Sequence, residues 1–128
     1  MRARPETLEW IKGYYELLDT GRLDECDRYF TPDATLKIAH LPEIVGYEAI
    51  DRVMRGGMAN PTVKQIVHEV TSAWEEDDGV VIFEVVAHYS LADGREVDVP
   101  GIVIGTVADG RFASQRIAAD LSPVYGSG

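Results

Sequence analysis

Asp-Gly occurs three times in the second half of the chain, at Asp78-Gly79, Asp93-Gly94 and Asp109-Gly110, each time between two apolar runs. The pair readily adopts the positive-φ geometry of tight turns and is the strongest short-range hairpin signal. The runs Val63 to Glu75, Val80 to Leu91, Arg95 to Val107 and Arg111 to Leu121 are therefore expected to form a four-stranded antiparallel meander. Pro100 and Gly101 inside the third run predict a bulge or sharp bend, as a strongly curved sheet requires.

The first half reads as helices and one more strand. Pro5 to Leu18 carries one apolar stripe at Leu8, Ile11, Tyr15 and Leu18 and a second at Trp10, Tyr14 and Leu17, with Thr7 as a capping candidate. A helix apolar over so wide an arc is covered on more than one side. Asp19-Thr20-Gly21 ends it, and Leu23 to Phe30 predicts a short second helix with Leu23, Cys26 and Phe30 on one face. Thr31-Pro32-Asp33 stops that helix, because proline disfavours helical geometry in the residue before it. Residues 34–40 alternate as a strand, and Tyr47 to Met58 is a third helix with Ile50, Val53 and Met54 inward. Helices first and a meander after means α+β, with about five strands.

The chain has 128 residues, a length suited to one domain, with residues 121–128 as a short tail. Its net charge of -10 argues against nucleic acid and against anionic membranes, both of which need a basic footprint. Cys26 is the single cysteine, so a disulfide scaffold is excluded, and its place on an apolar stripe reads as a buried small hydrophobe. No signal-peptide pattern and no long apolar span occur, so the expected setting is cytoplasmic.

Gly21 with Leu23-Asp24, Phe30-Thr31-Pro32-Asp33-Ala34, Gly46 before the third helix, Gly110 before the last strand and the closing Arg116 to Pro123 together resemble the nuclear-transport-factor-2-like superfamily, and its SnoaL-like members in particular. The resemblance spans the whole chain. It implies three N-terminal helices packed on a strongly curved, mostly antiparallel sheet, a cone enclosing an apolar pocket. Shared fold does not carry shared function, so each known chemistry is tested by position. A ketosteroid isomerase of this fold uses a helix-one Tyr, a carboxylate base on the first strand and a neutral carboxylic acid deeper in the sheet. Tyr14 matches the Tyr, but Ile38 stands at the base and Ile102-Val103-Ile104 at the second acid. A limonene-type epoxide hydrolase needs a Tyr and an Asn on the first strand and an Asp-Arg-Asp relay. Those places hold Leu36, Ile38, Glu84, Val86 and Ile117. Both usual mechanisms lack their residues. The acid–base Asp of SnoaL-like cyclases matches Asp120, although alternation with Gln115, Ile117 and Ala119 turns Asp120 away unless a bulge intervenes.

The resemblance makes Leu36, Ile38 and His40 a pocket face, with Trp10, Trp74, Val103, Gln115 and Ile117 also lining the pocket. Period-two alternation puts Glu84, Val86, His88 and Ser90 on one face of the second meander strand, assigned to the pocket. A three-residue loop at Asp77-Asp78-Gly79 pairs Glu76 with Val80, then Ser72 with Glu84 and His68 with His88. The expected catalytic set is a His68–His88 acid–base pair with Glu84, Tyr14 as donor to a substrate oxygen, and Asp120; the competing reading is core histidines bonded to backbone or to Ser72, Ser90 or Glu84. His40, His68, His88 and Glu84 have metal-ligand types, but types alone do not make a tetrahedral site, and no metal or other cofactor is expected.

Phe83, Val85, Ala87 and Tyr89 are thereby assigned to the outer face, and an apolar outer face predicts a homodimer through it. Three functions compete. The first is a cofactor-free cyclase, isomerase, dehydratase or ring-opening enzyme acting on a small hydrophobic carbonyl or polyketide-like molecule. The second is a binding module with the same cavity, and the third an interaction domain whose cavity is filled by its own side chains.

Overall fold

The structure is a computed structural model that describes residues 1–126. Helix α1 spans Pro5–Asp19, and a 3-10 helix spans Leu23–Tyr29. Then come strands β1 Phe30–Ile38 and β2 Ile44–Val45, helix α2 Tyr47–Met58, and strands β3 Val63–Glu75, β4 Val80–Leu91, β5 Glu96–Ala108 and β6 Arg111–Ala119. A single helical turn, α3 Ser122–Tyr125, closes the described chain. The strands make one open sheet in the order β2-β1-β6-β5-β4-β3, antiparallel throughout except for the parallel pair β1–β6. The α+β cone expected from the sequence is present.

The hairpins form where the Asp-Gly pairs lie. Glu76 N–H donates to Val80 O at 2.9 Å and Gly79 N–H to Glu76 O at 3.1 Å, closing a three-residue loop. Asp109 and Gly110 both have positive φ, 54° and 75°, as a two-residue type I′ loop requires. Helix α1 starts without a capping side chain of its own. Its first turn is held from β3 instead: Glu75 accepts Arg4 N–H at 2.7 Å, Arg4 Nε–H at 2.8 Å and the Thr7 hydroxyl at 2.8 Å. The last residues of the sheet's edge strand thus fix where the first helix begins.

The core lies between the inner sheet face and the helices. Ile11, Ile50, Phe83, Val103 and Phe112 are fully buried there, and Cys26 is fully buried between the 3-10 helix and α1. Gly105 makes room for Phe112, since a Cβ at that position would lie 2.9 Å from the Phe112 ring. Trp10 packs on Phe112 at 4.6 Å between ring centroids.

Several expectations are corrected. The sheet has six strands rather than five, because Ile44–Val45 pairs with Thr35 and Leu36 inside what reads as a loop. No bulge occurs at Pro100-Gly101: the β4–β5 ladder runs unbroken from Val80–Thr106 to Ser90–Glu96. Register shifts fall elsewhere, and the one at Thr71 decides the most. Ser72 pairs with Glu84 as expected, but Val70 pairs with Val85, so Thr71 is an extra residue in β3. On the N-terminal side of that bulge His68 pairs with Ala87 and Val67 with His88. A one-residue slip exchanges the faces of a strand. The bulge puts His68 on the inner face with Ala87, while Ser72 and Trp74 lie outside with Glu84 and Ile82. The faces of β4 are corrected independently of it: Phe83, Val85 and Tyr89 are buried and with Ala87 face the helices, while Glu84, Val86 and His88 face outward. Part of the expected tail is also structured: α3 buries Val124 against Tyr89, Leu91 and Val99, whereas Ser127 and Gly128 lie outside the described residues.

Candidate active site

A cavity of about 790 Å3 opens between the inner face of the sheet, α1, α2 and α3. Its walls are mostly apolar, built by Leu36 and Ile38 from β1, Val85 from β4, Val103 from β5 and Ile117 from β6. Its size suits a small organic ligand. Leu41, Val53, Met58 and Tyr125 stand at its mouth, each between 40% and 45% exposed, and give it an apolar rim.

Helix α1 and strand β3 supply the first polar group. Asp19, the last residue of α1, accepts the backbone N–H of His68 through Oδ2 at 2.7 Å. Its Oδ1 lies 2.6 Å from His68 Nδ1. A carboxylate can only accept, so this contact places the proton of a neutral imidazole on Nδ1 and leaves the Nε2 lone pair free. Tyr15 stacks on the His68 ring at 4.6 Å between centroids and 22° between planes, which fixes the ring's tilt. Both members of the pair are mostly buried, with side-chain exposures of 17% for His68 and 13% for Asp19. The chain thus holds a carboxylate–imidazole dyad, tautomer and orientation set, against the wall of an apolar cavity.

Tyr14 and Gln115 supply the second. Both are buried and both line the cavity. Burial pushes the Tyr14 phenol far above its ordinary value, the neighbouring Tyr15 adds to the rise and the Gln115 side chain works against it. Tyr14 is consequently a proton donor at any pH at which a histidine titrates. Its hydroxyl donates to the Met54 sulfur at 3.9 Å, with the Gln115 side chain beside it. Tyr15 is raised in the same way, by burial and then by the Asp19 charge.

The other expected site residues divide. His40 and Asp120 stand exposed at the rim. Asp120 Oδ1 accepts the Ser122 N–H at 3.0 Å, which caps the turn into α3 and holds the Asp120 carboxyl below its usual range. A carboxylate so stabilised is a poor proton donor near neutrality. Four residues expected in the pocket lie on the outer sheet face, and the expected His68–His88 pair does not form. His88 bridges two outer carboxylates, Asp98 at 2.7 Å and Glu69 at 2.9 Å. Glu84 accepts the Ser72 hydroxyl at 2.9 Å. Trp74 lies under the Arg2 guanidinium, 5.4 Å from the ring centroid, and Val86 shares its face. Trp10 sits in the core behind the cavity and does not line it. Among the described residues no cluster of three His, Cys, Asp or Glu has metal-site spacing.

Asp19 is the residue the sequence reading missed. A signal existed, because a carboxylate at a helix C-terminus opposes the helix dipole and α1 has no basic residue in its last turn. A charge placed against the dipole needs a partner, and here that partner is His68.

The family model described as the SnoaL-like domain matches residues 11–115, a span that includes both polar groups of the cavity. The chain belongs to the SnoaL-like domain family. Solved structures with the SnoaL-like cone agree in fold. A protein assigned as a polyketide cyclase from Xanthomonas campestris pv. campestris is 18% identical, with a TM-score of 0.77 over 92% of this chain and 93% of that one. A ketosteroid-isomerase-like fold protein from Catenulispora acidiphila, crystallised with trimethylamine, is 18% identical with a TM-score of 0.79 over 95% of this chain and 91% of that one. TerC, co-crystallised with polyporic acid, is 12% identical with a TM-score of 0.79 over 92% of this chain and 94% of that one. No curated protein matches the sequence.

Proposed function

We propose that this SnoaL-like chain is a cofactor-free acid–base enzyme acting on a small, largely apolar molecule that carries a carbonyl group, of polyketide-like character. The observation that carries the reading is the Asp19–His68 dyad, its imidazole fixed by a 2.6 Å contact at Nδ1 on the wall of an apolar cavity. His68 Nε2 takes a proton from the carbon next to the carbonyl. The C–H electron pair moves into the new C=C bond, and the carbonyl π pair moves to oxygen, giving an enolate. Asp19 holds the imidazolium that results, and the proton returns from Nε2 to another carbon or to a departing hydroxyl. Isomerisation, dehydration, ring opening and aldol-type cyclisation all share this first step. Two neighbours crystallised with small molecules, TerC with polyporic acid and the Catenulispora acidiphila protein with trimethylamine, lend analogy to a ligand-holding cavity.

The test is solvent deuterium exchange into ring ketones such as 1-tetralone and 2-tetralone, followed by proton NMR. Exchange accelerated by the wild-type protein and lost in His68→Asn supports the reading; exchange no faster than in buffer for every ketone contradicts it. The apolar rim of Leu41, Val53, Met58 and Tyr125 favours uptake of an apolar ligand with or without chemistry. A binding module is therefore the second reading, and saturable binding without exchange is its mark.

The outer sheet face is the proposed docking surface for a second copy. Phe83, Val85, Ala87 and Tyr89 no longer argue for it, being inside. Val67 and Ile102 do, at 44% and 46% exposed, together with Val86 and Ile104 on the same face. Glu69, Glu84 and Asp98 lie toward its β3 side and Lys37 and Arg116 toward its β1 side, so a two-fold arrangement pairs opposite charges. A monomer by sedimentation at micromolar concentration would overturn this. No helix among the described residues is long and apolar enough to cross a membrane, and a cytoplasmic setting is proposed.

A further inference from the structure

The last turn of α1 gives the His68 ring two neighbours, and only one of them is a hydrogen-bond partner. Asp19 meets the edge of the ring at Nδ1, and Tyr15 covers its face at 4.6 Å between centroids and 22° between planes. Residues 15 and 19 are about one helical turn apart, so one face of α1 presents both to the same imidazole. The Tyr15 ring is itself braced. It is 5% exposed, Phe83 meets it edge-on at 6.1 Å and 75°, and Tyr14 packs on it at 4.9 Å and 54°. The contact at Nδ1 fixes one atom of the imidazole, and the stack fixes its plane.

We infer that the Tyr15 ring face sets the basicity of His68 by favouring its imidazolium, which makes Tyr15 a positioning residue acting through His68. An aromatic face carries negative charge density, and a cation within about 6 Å of its centroid is attracted to it. Neutral imidazole gains only an ordinary stacking contact there. The imidazolium gains the charge–quadrupole attraction as well, and burial leaves little water to weaken it. That preference appears only as the proton arrives, so it favours the step that forms the enolate over the bound ketone that precedes it. Burial and then the Asp19 charge push the Tyr15 phenol up, so its ring stays a neutral π surface. The β4 pair of His68, Ala87, carries no charge, and His40, Lys64 and Asp120 line the cavity at exposed positions, where water and salt screen them.

The effect on rate rests on the acid–base reading, whereas the effect on the imidazole itself does not. The full-length wild type is compared with Tyr15→Phe, Tyr15→Leu and Tyr15→pentafluorophenylalanine, the last of which keeps the ring's shape and reverses the charge of its face. Two quantities are read: the His68 ring signals by NMR as pH is varied, and solvent deuterium exchange into 2-tetralone over the same pH range. Tyr15→Leu is expected to lower the proton affinity of His68 by about tenfold and to move half-maximal exchange to correspondingly lower pH. Its maximal exchange rate should fall too, since a weaker base is a slower one. The pentafluoro ring is expected to act at least as strongly, and Tyr15→Phe to restore most of the loss.

Identical His68 titration in the wild type and the pentafluoro protein would overturn the inference, because shape alone would then suffice. So would a Tyr15→Phe protein that falls as far as Tyr15→Leu. If Tyr15→Leu does not fold, the pentafluoro comparison decides by itself. Wild-type exchange no faster than in buffer, with the expected His68 titrations, would sink the acid–base reading and support the role of the Tyr15 face. Catalysed exchange with unchanged titrations would do the reverse.

Discussion

Asp19 Oδ1 and His68 Nδ1 are 2.6 Å apart although 49 residues separate them in sequence, and the same carboxylate also binds the His68 backbone N–H. One side chain at the end of α1 therefore pins both the main chain and the ring of a residue in the middle of β3. The pinning explains how an acidic residue is tolerated at the negative end of a helix. It also makes the dyad part of the fold, so its removal should register in stability as well as in chemistry.

Asp19→Asn keeps the shape but loses the charge that orients and stabilises an imidazolium. Catalysed exchange should fall by about 100-fold or more, while affinity for 1-tetralone stays within about threefold. Denaturant unfolding should show a loss of about 1–3 kcal/mol, the usual cost of weakening hydrogen bonds to a charged acceptor.

Glu75 offers a test of the helix start. Its carboxyl is lowered to about 2, chiefly by the hydrogen bonds from the Arg4 side chain and backbone, with Thr7 adding to them. A lowered folded-state value means that Glu75 contributes stability above its ordinary value of 4.5, lost as pH falls toward 2. Glu75→Gln should cost about 1–2 kcal/mol at neutral pH by denaturant unfolding, with the difference from wild type shrinking below about pH 4.

His88 behaves with the opposite sign. Its hydrogen bonds to Glu69 and then Asp98 raise it above 6.5. Its contribution is present in full below about pH 6.5 and is lost as pH rises through the raised value. Unfolding midpoints of wild type and His88→Gln should therefore differ most below about pH 6.5 and converge as the pH rises through the raised value. Ketone binding should be unaffected, because His88 is outside the cavity.

Gly105→Ala tests the packing under the cavity floor. The new methyl would lie 2.9 Å from Phe112 and force the ring to move. A loss of about 1–3 kcal/mol is expected by thermal or denaturant unfolding.

The turns were legible in the sequence because Asp-Gly allows few conformations, and the order of helices and strands followed from them. The faces of the strands were less so. Pairing counted from the Glu76–Val80 loop holds as far as Ser72–Glu84 and fails one residue later, where Thr71 is extra. Nothing in Val70-Thr71-Ser72 announces a bulge. The face of β4 did carry a signal: Phe83 and Tyr89 alternate with Glu84, His88 and Ser90, and two aromatics outweigh the small apolar residues between the polar ones. The His68–His88 pair was expected because an unbulged ladder counted from the Glu76–Val80 loop sets the two residues opposite each other. Tyr14, Gln115 and Ile117 were reachable by resemblance, since Tyr14 sits on α1 and the other two on the part of β6, from Ser114 onward, whose pairing with β1 and β5 is continuous. Asp19 was not, because its role depends on a contact across 49 residues.

The most direct measurement follows the His68 ring by 1H–15N NMR in the wild-type protein while 1-tetralone is added, with His88, outside the cavity, as the internal reference. The account predicts that the Nε2 signal of His68 shifts on saturation, that its Nδ1 proton stays bonded to Asp19, and that His88 does not move. An unchanged His68, or a ligand response centred on His88, would contradict it.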